Sequence, residues 1–172
     1  MKYNWEDVIG YIIGKGYTRD EVVAVINSFV KFIKLNVWDK PIIIHEFLKF
    51  EAVEYTTAGV KLRQIEIKPV GHAWWFVGNY FSVYDVKAHI HKETDYTAKT
   101  INDILDGMIV APKQCFMFGG SGTSIKLFKT KEMPAFLKLE VIGNEVVASP
   151  VDKKSEHSWA FAKDRKKDFD YE

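Results

Sequence analysis

Apolar residues recur with helical spacing over the first 36 positions and with strand-like spacing over much of the remainder. Trp5, Val8, Ile9, Ile12 and Ile13 fall at i, i+3, i+4, i+7 and i+8, one face of a helix. Asn4 can cap that helix, and Gly14 and Gly16 can end it. Thr18 followed by Glu21 is a T-x-x-E capping box. Val22, Ile26, Phe29, Val30 and Ile33 give a second stripe, closed by Asn36. Two short-linked helices with facing stripes predict a helical hairpin.

After Lys40-Pro41 the period changes. Ile42, Ile43 and Ile44 are β-branched and predict a short buried strand. Leu48, Phe50 and Ala52 alternate with Lys49 and Glu51, as a half-buried strand does. Thr56-Thr57-Ala58-Gly59 reads as a turn, and 60–68 as the return strand before Pro69. Gly78-Asn79 is a two-residue hairpin signal between 74–77 and 80–90. On that reading Tyr84, Val86, Ala88 and Ile90 share one strand face, with His89 and His91 on the other. Thr100 and Asp103 resemble a cap pair for a short helix carrying Ile101, Ile104 and Leu105, stopped by Gly107. A third hairpin joins 115–118 to 124–129 through Gly119-Gly120-Ser121-Gly122. A fourth joins 136–142 to 146–149 through Gly143-Asn144. Beyond Pro150 the mixed charge predicts a loosely ordered tail. The expectation is an α+β fold, a helical hairpin followed by antiparallel β-hairpins. It divides into 1–70, a β-rich 71–149 with one short helix, and a tail over 150–172. A length of 172 residues suits one domain, or one domain with a small lobe.

The segments DVIGYIIGKGYTRDEVVAVINSFVKFIK, KPIIIHEFLKFEAVEY and AGVKLRQIEIKP, from Asp7 to Pro69, resemble the HU/IHF family of DNA-bending proteins. Phe47 and Phe50 match the two aromatics of that family's G-F-G-x-F segment, and Ile65, Ile67 and Pro69 match its return strand. Glu46 and Leu48 replace the two glycines, the ribbon is short, and its tip lacks the intercalating Arg-x-Pro. The resemblance implies a homodimer whose helical hairpins bury their stripes against each other. It also implies DNA contacts from the ribbon. Two helices and three strands alone have too little interior for Trp5, Phe29, Phe32, Phe47 and Phe50, which points to a twin on independent grounds.

Composition narrows these readings. Hydrophobic residues make up 47% and charged residues 27%, which excludes wholesale disorder. The net charge is only +1, so any nucleic-acid surface must be a local basic patch. Cys115 is the single cysteine, which excludes an intramolecular disulfide and fits a reducing, cytoplasmic compartment, or the nucleoid for a DNA binder. Acidic residues interrupt the N-terminal apolar stretch, so it does not read as a signal peptide. No apolar run approaches the roughly 20 residues that span a bilayer, so no membrane partner is expected.

The candidate DNA contacts are Lys61, Arg63 and Lys68 on the ribbon, with Lys126, Lys129 and Lys131 on and after the third hairpin and Lys113 before it. An exposed Phe128 nearby could stack on bases. The alternative for these lysines is a solvated strand face. His89 and His91 form an H-x-H that would aim both rings one way on a strand, with His72, Asp85 or Glu93 as a third metal ligand. No spacing motif supports a metal, and no cofactor is expected. The Gly119–Ser124 stretch lacks the lysine of a phosphate loop and reads as a hairpin turn. Cys115 has no adjacent base and reads as a core thiol. Without G-x-S-x-G or paired acids, no catalytic residue is assigned. Trp74, Trp75, Phe76 and Tyr80, with Phe81 and Tyr84, crowd one hairpin and predict a protein interface or a lobe junction. The leading functional expectation is a non-enzymatic, architectural protein binding duplex DNA without regard to sequence. The alternative is a protein-interaction or assembly module, such as a small viral structural component or an inhibitor of a host factor. An enzyme comes third.

Overall fold

Secondary structure begins where capping chemistry starts it. The computed structural model describes residues 1–71, 78–130 and 135–151, with backbone alone at Tyr55, Thr57 and Leu62. Strand β1 (Lys2–Tyr3) leads into helix α1 (Trp5–Ile13). Asn4 accepts from the amides of Glu6 and Asp7, and the Asp7 carboxylate accepts from the Asn4 amide at 2.8 Å. Helix α2 (Arg19–Asn36) opens with the reciprocal Thr18–Glu21 box. The two helices pack on each other as expected, burying Trp5, Val8, Ile9 and Ile12 from one and Val22, Ile26, Phe29 and Ile33 from the other.

Strands β2 (Ile42–Ile44), β3 (Leu48–Thr57) and β4 (Val60–Pro69) form an antiparallel meander. The β3–β4 turn is held by Ala58 and Gly59, both with positive φ (52° and 77°), the handedness that matches strand twist in a two-residue loop. Leu48, Phe50, Ile65 and Ile67 line the inner face.

The β-rich reading of 71–149 is corrected. Residues 83–94 form helix α3 (Val83–Thr94), not a hairpin strand. Ser82 caps it, accepting from the Tyr84 amide, while Asp85 accepts from the Ser82 amide at 2.8 Å. Val86 and Ile90 are buried one turn apart, so Tyr84 and Ala88 do not join them on an inner strand face and are exposed. Residues 74–77, the other arm of that expected hairpin, lie outside the described residues.

The next helix is also longer than its sequence signals. Helix α4 (Ala98–Gly119) starts at Thr97, whose side chain accepts from the Thr100 amide, and it runs through both Gly107 and Pro112. Gly107 is a contact rather than a stop. A Cβ there would lie 2.8 Å from Ile12 Cγ1, so the missing side chain lets α1 and α4 approach. Residues 115–118 therefore end a helix and are no hairpin strand. The glycines after them turn the chain from helix to strand, with Gly120 and Gly122 at positive φ.

Strand β5 (Ser124–Leu127) pairs in parallel with β1 and antiparallel with β6 (Leu137–Ile142). Strand β6 makes the expected hairpin with β7 (Glu145–Pro150) around Gly143-Asn144. The second sheet has the order β1-β5-β6-β7. The predicted tail after Pro150 lies outside the described residues, except Val151.

One residue joins the two sheets. Phe128, expected at the surface, is fully buried. Its backbone is left-handed (φ 68°), which breaks strand alternation and lets Leu127 and Phe128 both turn inward. That conformation costs about 1–2 kcal/mol for an L-residue. The ring offsets the cost through Trp5 (5.8 Å between centroids), Phe29 (5.8 Å), Phe47 (6.1 Å), Phe50 (6.5 Å) and Phe136 (5.6 Å). The aromatic side chains that seemed to need a twin are buried within one chain, so the interior argument for a dimer falls.

Candidate functional site

The basic residues expected to converge are distributed over separate surfaces. In the ribbon, Lys61 and Arg63 alternate onto the face that carries Ile65 and Ile67 inward, while Lys68 stands on the opposite face. The Arg63 guanidinium packs 5.3 Å from the Trp38 ring and donates to the Trp38 carbonyl at 3.1 Å. Lys68 pairs with Glu66 at 3.2 Å, and beside it Lys49 pairs with Glu51 at 2.9 Å. Lys61 is exposed near the ribbon tip.

Lys126 and Lys129 belong to the other sheet. Lys126 is exposed on β5, opposite Lys138 of β6, which itself lies 3.7 Å from Glu140. Arg19 chiefly, and exposed Lys129 to a lesser degree, hold the Glu6 carboxyl below its usual range. Lys113 pairs with Glu46 at 3.2 Å. Lys131 lies outside the described residues.

Helical geometry also separates the two histidines. Residues two apart on a helix diverge by about 200°. His89 is half-buried against Phe32, with ring centroids 5.4 Å apart. His91 is exposed, with Nδ1 2.7 Å from the Tyr96 carbonyl oxygen. Among the described residues no group of three His, Cys, Asp or Glu side chains is placed to hold a metal. His72 lies outside them.

Glu93 instead gathers groups from α2 and α3. Its carboxylate accepts from Ser28 at 2.7 Å, lies 2.5 Å from Lys31 and lies 3.2 Å from His89. Lys31 chiefly, with Ser28, holds this carboxyl below its usual range. The imidazole meets the carboxylate rather than the hydroxyl, so the set lacks the base-to-nucleophile contact of a hydrolytic triad. Its evident effect is to pin α3 to α2. Cys115 is half-buried beside a cleft of about 230 Å³ between α1 and α4, and its thiol is pushed up by burial and secondarily by Asp7. A raised thiol is a poor nucleophile.

Of the apolar side chains that reach solvent, Tyr84 belongs to the expected aromatic cluster and is 77% exposed. Of the aromatic cluster, Trp74, Trp75 and Phe76 lie outside the described residues and Tyr80 is half-buried. Phe81 packs edge-on against Phe32 at 5.4 Å. Further exposed apolar side chains stand at the end of α4 (Met117 and Phe118), on the β6–β7 hairpin (Ile142, Val146 and Val147), and singly at Leu35 of α2 and Val60 of β4. Beside that hairpin, β4 and β7 border an open groove of about 710 Å³, walled by residues 64–69 and by Glu145–Pro150. The two strands exchange no ladder and belong to different sheets.

Comparison of the chain with protein-family models and with characterised proteins finds no match. No helix among the described residues is long and apolar enough to cross a membrane.

Proposed function

We propose that this chain is a protein-interaction module that docks partners through the β6–β7 hairpin. The observation that carries this reading is the character of β7. Among the described residues it is a sheet-edge strand, continuous in register with β6, and it exposes Val146 and Val147 at 37% and 38%. Edge strands are ordinarily blunted by lysines, bulges or internal prolines. Strand β7 has none of these before its terminal Pro150. Among the described residues no strand pairs with this edge, and an exposed apolar edge is favourable where a partner covers it. A photo-crosslinking residue at Val147 is expected to trap a partner in the native cell extract, while the same residue at Lys61 traps none. Equal labelling at both positions, or none at Val147, counts against the reading.

A second reading, architectural DNA binding, is favoured by one feature. The β3–β4 ribbon carries ten consecutive cross-strand pairs ending in a tight turn, with Lys61 exposed near its tip. This resembles the arm of the HU/IHF family. On this reading, fluorescence anisotropy at low salt detects generic duplex DNA, affinity falls steeply with added salt, and Lys61→Ala weakens it. Absence of binding at low salt removes it.

A further inference from the structure

We infer that the seam between β4 and β7 is a strand-addition site for an extended segment of another polypeptide, uncharged along its middle and cationic at one end. This deepens the interaction-module reading and rests on it. Each wall of the groove is six consecutive residues of an edge strand. Six extended residues span about 20 Å. Among the described residues neither wall has a ladder partner on the groove side, so two rows of backbone donors and acceptors face the same space. Both walls finish on a proline, Pro69 and Pro150, which ends the donor row on each side.

A helix is about 10–12 Å across and would leave both rows unpaired. An extended strand satisfies both and would link the two sheets through one continuous ladder. The Cα traces of β4 and β7 come within 8 Å of each other. A strand between two neighbours needs about 9.5 Å, twice the usual spacing. Occupancy must therefore part the edges at their closest point.

Lining chemistry selects the occupant. Ile67, Pro69, Val146, Val147 and Ala148 are apolar, and Glu66 is cancelled by Lys68. Glu145 is exposed and has no ion-pair partner among the described residues. A charged side chain in the middle would be buried unpaired, whereas a lysine or arginine at the Glu145 end gains a partner.

The test uses the full chain and a fluorescein-labelled synthetic peptide, one lysine followed by three threonine-valine repeats. Anisotropy is expected to detect binding. N-methylation of alternate peptide amides should weaken it at least about tenfold, the loss of two or three backbone hydrogen bonds. Glu145→Lys should weaken it severalfold at low salt and little at high salt. Hydrogen exchange should show new protection in both 64–69 and 145–150. Protection of one wall only, or binding indifferent to N-methylation, overturns the proposal. So does protection of both walls in the free protein, which assigns the seam to the chain's own residues, or to a second copy if it grows with concentration. Protection confined to 145–150 overturns the seam while leaving docking through the β6–β7 hairpin standing. A blank result at Val147 in the crosslinking experiment removes the underlying reading itself.

Discussion

The two sheets are assembled in opposite ways. The β2-β3-β4 sheet is a meander of chain neighbours, and its outer face is covered by the Lys49–Glu51 and Lys68–Glu66 pairs. The β1-β5-β6-β7 sheet draws one strand from residues 2–3 and the rest from beyond residue 123, and its free edge is apolar. The difference teaches that chain neighbours suffice to build the first sheet, while the second, though it contains the local β6–β7 hairpin, is completed only by the distant β1–β5 pairing. Phe128 couples them.

The sharpest way to break this comparison is Phe128→Ala. It removes the ring shared by both sheets and should cost about 3–5 kcal/mol. Urea unfolding followed by tryptophan fluorescence and far-ultraviolet circular dichroism should lose both signals at one lowered midpoint. Separated midpoints would mean that the sheets stand independently. Gly107→Val attacks a contact distant in sequence, between α1 and α4. Its Cβ meets Ile12, and a cost of about 1–3 kcal/mol is expected, reduced by trimming Ile12 to alanine in the same chain. A double variant as unstable as the sum of the two singles would contradict the contact. Thr18→Ala probes a contact between near neighbours in sequence and should cost about 1 kcal/mol through the α2 cap.

The smallest effect belongs to Glu93, which ties α2 to α3. Its folded carboxyl is held below its usual range, mainly by Lys31. Its stabilisation is therefore present above the ordinary carboxylate range and is lost as pH falls through the lowered folded value. Glu93→Gln should cost at most about 1 kcal/mol at neutral pH, because the pair is largely solvated. The gap between wild type and variant should close in acid. A gap that stays constant in thermal melts from neutral to acid pH would refute the assignment.

What was legible in the sequence follows the same division. Helices α1 and α2, the β2-β3-β4 meander and the β6–β7 hairpin carry their signals within a few residues of where they act. Helix α3 is hidden in the sequence because Val86 and Ile90 satisfy a period of two as well as a helical turn. The Ser82–Asp85 box was the signal that could have decided it. The full length of helix α4 is hidden because Gly107 has the signature of a stop, and only Ile12, far away in the chain, explains the missing side chain. Pro112 is tolerated inside it although it leaves the Met108 carbonyl without its helical donor. The burial of Phe128 has no signal in the alternation, because only its left-handed backbone turns it inward beside Leu127. The β4–β7 seam had no sequence signal at all, since it arises where two separately built sheets meet. The lysines were countable in the sequence, but their carboxylate neighbours and their division between two sheets were not.

The ladder between Lys2–Tyr3 and Ser124–Ile125 has a consequence for biosynthesis. A ribosome must deliver more than two thirds of these 172 residues before that pairing can form. Until then Phe50 can already meet Phe29, but the faces of Trp5 and Phe29 that pack on Phe128 stay uncovered, because Phe128 has not yet emerged. Contacts this distant in sequence slow folding, so the nascent chain passes through an interval in which a chaperone, rather than its own second sheet, is the available cover.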